Sequence, residues 1–292
     1  DLANPSLGLT QTEAIFYPQN GNPSFRLSRG NVKIPGWPLF RLDRSLIEVK
    51  GDNIEFVTLR LLHELDNAGN IELSGTFNPA STAQEQKLGV KMSSFNLNGI
   101  AGTSLGHLVA GRINSRDTLG ANQLTFSAKT GGKLQLAFTS APNTFPKVNS
   151  FSFLGRVAKL TDNTWFAEPI FHDGCTGVLE RDFHAVSIRD FSILSRNQLW
   201  ITGELTVQAN DILSGTLNLG LPEAAISGAN NPRVKEIFQE SRDGFRWITL
   251  KISGTGSKPL DNFDEVAAAA KSVPTDAADG DLFDRLTQPK GQ

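Results

Sequence analysis

The chain is poor in the residues that usually announce chemistry or a compartment. It has 292 residues and a single cysteine, Cys175. One thiol excludes an internal disulfide framework and a cysteine-built zinc site. It leaves the compartment open, because a secreted protein can lack disulfides. No stretch reaches the eighteen or so consecutive apolar residues of a membrane-spanning helix. Lys and Arg total 28 against 30 Asp and Glu, a net charge of −2, so there is no basic excess for nucleic acid or an anionic membrane surface. Met92 is the only methionine, the first residue is Asp1, and no signal peptide is visible. These features read as a fragment cut from a longer protein, with any signal or membrane anchor upstream.

Catalytic motifs are also scarce. His63, His107, His172 and His184 form no pair at the i, i+4 spacing of a zinc helix. His172, Asp173 and Cys175 in "FHDGCTG" have two readings, a surface turn between strands and a Cys–His nucleophile. There is no G-x-S-x-G elbow. "GTGSKP" (254–259) lacks the spacing of a phosphate loop, and Pro259 stands where Ser or Thr belongs. Asp182 with Asp190 could serve as an acid–base pair, but carboxylates are common on solvated strand faces. No cofactor is implied.

What is present is strand alternation with inset glycine. Successive side chains of a strand point to opposite faces. In 71–77, Ile71, Leu73, Gly75 and Phe77 share a face. In 199–208, Leu199, Ile201, Gly203, Leu205 and Val207 oppose Trp200, Thr202, Glu204, Thr206 and Gln208. In 213–219 the apolar set is Leu213, Gly215, Leu217 and Leu219, and in 248–254 it is Ile248, Leu250, Ile252 and Gly254. Gly75, Gly203, Gly215 and Gly254 all fall on the apolar side. Glycine inside a strand marks a bulge, a bend or a close approach. One reading is that these glycines let the sheet curl. The other is that they also make room inside the curl for an apolar ligand.

The pattern predicts three stretches. Residues 1–45 are rich in proline and glycine and read as a loop-rich N-terminal segment with one or two short strands. Residues 46–262 read as a curved β domain with short helices inserted at 99–111, 151–162 and 231–241. Residues 263–292 read as a C-terminal helix and polar tail, the helix running 260–273 with Asp261 or Asn262 as its cap and a last short one near 281–286. "GDN" (51–53) and "DNAGN" (66–70) read as hairpin turns, and 122–140 as the clearest hairpin. The fold class is therefore mainly β with a few short helices (α+β), a curved antiparallel sheet with an apolar inner face. Phe151, Phe153, Trp165, Phe166 and Phe171 form the densest aromatic cluster, either a helix docked on the sheet or the lip of an apolar pocket.

Two runs carry a resemblance. "VSIRDFSILSRNQLWITGELTVQANDILSGTLNLGLPEA" and "FQESRDGFRWITLKISGTGSKPLDNF" resemble the C-terminal region of AsmA-like proteins. The matching positions are Gly215, Leu217, Leu219, Gly220 and Leu221, then Asp243, Gly244, Trp247, Gly254, Thr255 and Pro259. "IELSGTFNP" followed by "FNLNGIAG" is similar to another recurrent piece of that family. The similarity covers about residues 70–270 and is best over 186–263. It implies an envelope protein of a diderm bacterium, tethered to the inner membrane by an upstream anchor and projecting into the periplasm. It implies a taco-like β half-barrel whose groove is linked to phospholipid movement or outer-membrane integrity, with phospholipid or another acyl-chain lipid and envelope proteins as partners. No catalytic motif comes with it.

The residues expected to line such a groove are Leu73, Phe77, Ile201, Leu205, Val207, Leu213, Leu217, Leu219, Ile248, Leu250 and Ile252. Each is equally readable as plain core. The functional expectation is a non-catalytic module that binds or guides phospholipid acyl chains. The alternatives are a closed-core β scaffold or surface adhesion protein and, third, a hydrolase of envelope polymers.

Overall fold

The computed structural model describes residues 8–19, 21–33, 39–64, 66–81, 84–117, 120, 122–127 and 131–270. The chain opens with β1 (Gly8–Thr10), β2 (Glu13–Gln19), β3 (Asn22–Ser28), β4 (Asn31–Lys33) and β5 (Leu39–Lys50). It continues through β6 (Asn53–His63), β7 (Asp66–Phe77), β8 (Gln86–Ser93) and β9 (Phe95–Asn96) into helix α1 (Asn98–Leu108). Then come β10 (Val109–Ala110), β11 (Arg112–Ser115), β12 (Gln123–Ser127), β13 (Gly131–Ser140), β14 (Lys147–Val148) and α2 (Ser152–Thr161). The last third holds β15 (Cys175–Arg181), β16 (Ala185–Ser195), β17 (Leu199–Gln208) and β18 (Leu213–Pro222). It ends with α3 (Glu223–Ser227), α4 (Arg233–Ile237), β19 (Glu240–Arg242), β20 (Phe245–Gly254), β21 (Pro259–Asp261) and α5 (Phe263–Ala270).

Among the described residues, nineteen strands belong to one antiparallel sheet that does not close. Its spine runs β2–β3–β5–β6–β7–β8–β12–β13–β15–β16–β17–β18–β20. β1 and β4 extend the β2–β3 hairpin along β5, and β9 with β11 fills in beside β13. β10 and β14 pair apart from it. Short β19 and β21 fold back on the outer side of β20, which blunts that edge. The other edge, β2, has no such cover among the described residues.

Register carries the sequence alternation across the sheet. Ile201, Leu219 and Ile248 stand side by side, as do Gly203, Leu217 and Leu250, and Leu205, Gly215 and Ile252. The result is one apolar face and one polar face, so the apolar face must be covered. Helices cover the C-terminal part. α1 packs on β16 and β17, α3 on β18, and α5 on β20. Ile100, Leu105 and Leu108 of α1, Phe153 and Leu154 of α2, Val234 of α4 and Phe263 of α5 join the strand residues in one core. The Arg181 guanidinium crosses from β15 to donate to the Ile100 carbonyl, and burial lowers its pKa.

Asp261 ties the helix layer to the sheet edge. Its carboxylate accepts the Ser152 hydroxyl at 2.7 Å and the Phe153 N–H at 3.1 Å, at the open N-terminus of α2. It also accepts the Phe263 N–H at 3.1 Å at the start of α5, and it pairs with Arg156. The expected cap of α5 is therefore present, and the same side chain caps a second helix about a hundred residues earlier.

Several expectations shift. The loop-rich reading of 1–45 gives way to strands β1 to β5, because Pro18 and Pro23 face each other at the end of a hairpin where no ladder is interrupted. "DNAGN" lies inside β7 instead of forming a turn. The 231–241 helix shortens to α4, and β19 takes up the remainder. The short helix expected near 281–286 and the tail lie outside the described residues. Among the described residues, no helix is long and apolar enough to cross a membrane.

Candidate functional site

The helices concentrate on the C-terminal strands, and the apolar face continues past them. Phe16, Phe25, Ile47 and Phe56 stand side by side on β2, β3, β5 and β6, followed by Gly75 on β7. One step toward the strand ends, Val49, Ile54 and Phe77 are in register, and Phe126 extends the same level on β12 opposite Gln86. Phe16 is 59% exposed, while Phe25, Ile47, Ile54, Phe77 and Phe126 are half-buried against the core. The rings touch along the way, Phe16 to Phe25 at 5.4 Å and Phe56 to Phe77 at 6.5 Å between centroids. Six strand spacings of roughly 4.8 Å separate β2 from β12, so the row spans about 29 Å. Among the described residues it is a partly wetted apolar strip at an end of the sheet that no helix covers.

The expected groove residues sit elsewhere, with one exception. Leu73 on β7, Ile201, Leu205 and Val207 on β17, Leu213, Leu217 and Leu219 on β18, and Ile248, Leu250 and Ile252 on β20 are all within 6% of full burial. They do share one face, and that face is packed core. Phe77 alone of the set lies on the open strip. Sequence reasoning missed Phe16, Phe25, Ile47, Ile54 and Phe126. The signal was there in the alternation of Ala14 with Phe16 and of Phe25 with Leu27, masked by the nearby prolines.

Two of the inset glycines, Gly203 and Gly215, answer to a different cause than a lumen. Gly203 has φ +141°, and a Cβ there would lie 2.1 Å from the Thr216 carbonyl oxygen on β18. A Cβ on Gly215 would lie 2.2 Å from the Glu204 carbonyl oxygen on β17. Both contacts are to the backbone of the adjacent strand, so these glycines permit close strand approach. Gly215→Leu, the obvious probe of a roomy groove, would instead break the β17–β18 pair.

Several residues of the catalytic alternatives are engaged in turns and packing. Cys175 is buried, and burial pushes its thiol up to about 12, so "FHDGCTG" holds no ready thiolate. His172 stacks edge-on against Phe145, with ring centroids 4.6 Å apart. "GTGSKP" is the turn between β20 and β21, where the Lys258 N–H donates to the Thr255 hydroxyl oxygen at 3.0 Å. Asp182 caps the β15–β16 turn through the His184 and Ala185 N–H groups. Among the described residues, no group of three His, Cys, Asp or Glu converges on a metal position. Phe151, Phe153, Phe166 and Phe171 are buried, and Trp165 packs on Phe166 and Phe171. That cluster docks the α2 region on the core.

No family model, no curated protein and no solved structure matches this chain.

Proposed function

We propose that this chain is a non-catalytic module that holds phospholipid acyl chains against the open apolar strip of its sheet. The observation that supports it is the row from Phe16 to Phe126, which leaves aromatic and aliphatic side chains in contact with water at the end the helices do not cover. Its length of about 29 Å exceeds the roughly 15 Å of one bilayer leaflet's hydrocarbon, so one extended acyl chain fits along it. A 16-carbon chain with half its surface covered gains about 6 kcal/mol at about 0.8 kcal/mol per buried CH₂, before ordering costs. The resemblance to AsmA-like proteins favours the same reading. A periplasmic setting in a diderm envelope, beside other envelope proteins, is part of the same proposal and is supported by that resemblance alone.

A second reading, a closed-core scaffold, is favoured by the helix-covered interior of the C-terminal half. Native mass spectrometry with lipid extraction on the purified chain separates the two. Co-purified phospholipid at a defined stoichiometry supports the acyl-chain module. No bound lipid, together with no uptake of a fluorescent acyl probe, overturns it in favour of the scaffold.

A further inference from the structure

The polar face of the sheet carries a feature that the apolar strip does not explain. Trp200, Thr202 and Glu204 of β17 alternate with its core residues and so stand on the outer face. Between Ile188 and Phe191 the β16 register slips, and Asp190 adopts φ +49°. Such a bulge re-aims side chains and bends the strand. Beside it lies a shallow depression of about 640 Å³, lined chiefly by Asp190, Ser192, Trp200, Thr202, Glu204 and Asn218.

Its walls are held in place. The Trp200 indole N–H donates to the Ser192 hydroxyl oxygen at 2.9 Å. The Thr249 hydroxyl donates to the Asn218 carboxamide oxygen at 2.8 Å, and the Asn218 NH₂ donates to the Thr202 hydroxyl oxygen at 3.4 Å. Behind the indole, Phe245 and Trp247 brace it at 5.4 and 5.2 Å between centroids. The Trp247 ring packs over Gly220, where a Cβ would lie 2.9 Å from it.

We infer that this depression binds a saccharide. An indole at the edge of an otherwise polar cleft offers a flat apolar surface to the C–H face of a pyranose. Asp190 and Glu204 are acceptors only when ionised, so the ligand must bring donors. Sugar hydroxyls do so, and they also suit the hydroxyl and carboxamide groups that line the rest. Among the described residues, no Lys or Arg lines the depression, which disfavours phosphate, nucleic acid or an acidic peptide. The site lies on the face opposite the acyl strip and stands or falls independently of it.

The test is saturation-transfer NMR and calorimetry on the whole chain with chitotetraose, cellotetraose and maltotetraose, with spermidine as a cationic control. At least one tetrasaccharide is expected to bind at millimolar or better affinity. Glu204→Gln and Trp200→Phe are each expected to weaken binding about tenfold, the worth of one charged hydrogen bond or one ring contact. If Trp200→Phe unfolds, Glu204→Gln decides, because that carboxylate is exposed and its loss spares the core. Absence of saturation transfer from all three sugars overturns the inference. So does binding that the folded variants leave unchanged, or binding of spermidine alone, which would mark a cation site.

Discussion

Gly203→Ala adds a single methyl group at a point where the structure leaves no space for it. The new Cβ would sit 2.1 Å from the Thr216 carbonyl oxygen and 3.0 Å from the Leu217 Cα. Those atoms belong to a paired strand and can move only by opening the β17–β18 ladder. The backbone there has φ +141°, a region that costs a residue with a side chain about 1–3 kcal/mol. Overpacking adds about 1–3 kcal/mol. Reduced freedom of the unfolded chain returns about 0.4–1 kcal/mol. The expected net loss is about 1–5 kcal/mol, centred near 3 kcal/mol. Gly155→Ala is the matched control, since Gly155 lies within α2 and a Cβ there meets nothing within 4 Å. It should gain about 0.5–1 kcal/mol from helix propensity. Urea unfolding of the whole chain, followed by tryptophan fluorescence, reads both variants. At an m value of about 3 kcal/mol/M, Gly203→Ala moves the midpoint down by about 1 M. If Gly203→Ala unfolds within about 0.5 kcal/mol of the parent, close strand approach is not what this glycine serves.

Phe77→Ser should cut uptake of a fluorescent acyl probe about tenfold while costing no more than about 1.5 kcal/mol of stability, because Phe77 is only half-buried. Leu217→Ala, at 1% exposure, should do the reverse, costing about 2–5 kcal/mol with probe uptake by the folded protein unchanged. Probe titrations alongside denaturation curves distinguish the two, and equal effects on uptake would mean that the open strip is not the lipid surface. Asp261→Ala strips the cap from α2 and removes the closest partner of the Arg156 guanidinium, so it should lower the melting temperature by about 5–10 °C, read by calorimetry. The Cys175 thiol, pushed up to about 12 by burial from 9.0, should resist a thiol reagent at pH 8 until denaturant is added. Because the unfolded thiol ionises first, this residue makes the protein less stable as pH rises from 9.0 toward about 12, measurable as a fall in the urea midpoint.

Much of the sheet was legible one strand at a time. The alternation in 199–208, 213–219 and 248–254 fixes which side chains share a face, and the structure keeps those assignments residue for residue. The helices at 99–111 and 151–162 also stand near their expected limits, as α1 and α2. The N-terminal strands were misread because proline was counted against strand, although at the tip of an edge hairpin its missing N–H costs no ladder bond. The burial of most of the expected groove residues was not legible for a different reason. A period of two says which residues face inward, but it carries no information about what lies opposite them.

The sequence by itself determined a mainly β chain with one apolar and one polar face, and the rows of side chains that make up each. Those properties are local, set by the two-residue period of the strand. The tertiary structure decided where the apolar face is closed and where it stays open. α1, α3 and α5 come to rest over β16, β17, β18 and β20, and Asp261 caps α2 from 108 residues away along the chain. The row from Phe16 to Phe126 is left half-covered. Contacts of that range depend on which elements meet after the sheet has curled, and no short window of sequence encodes them.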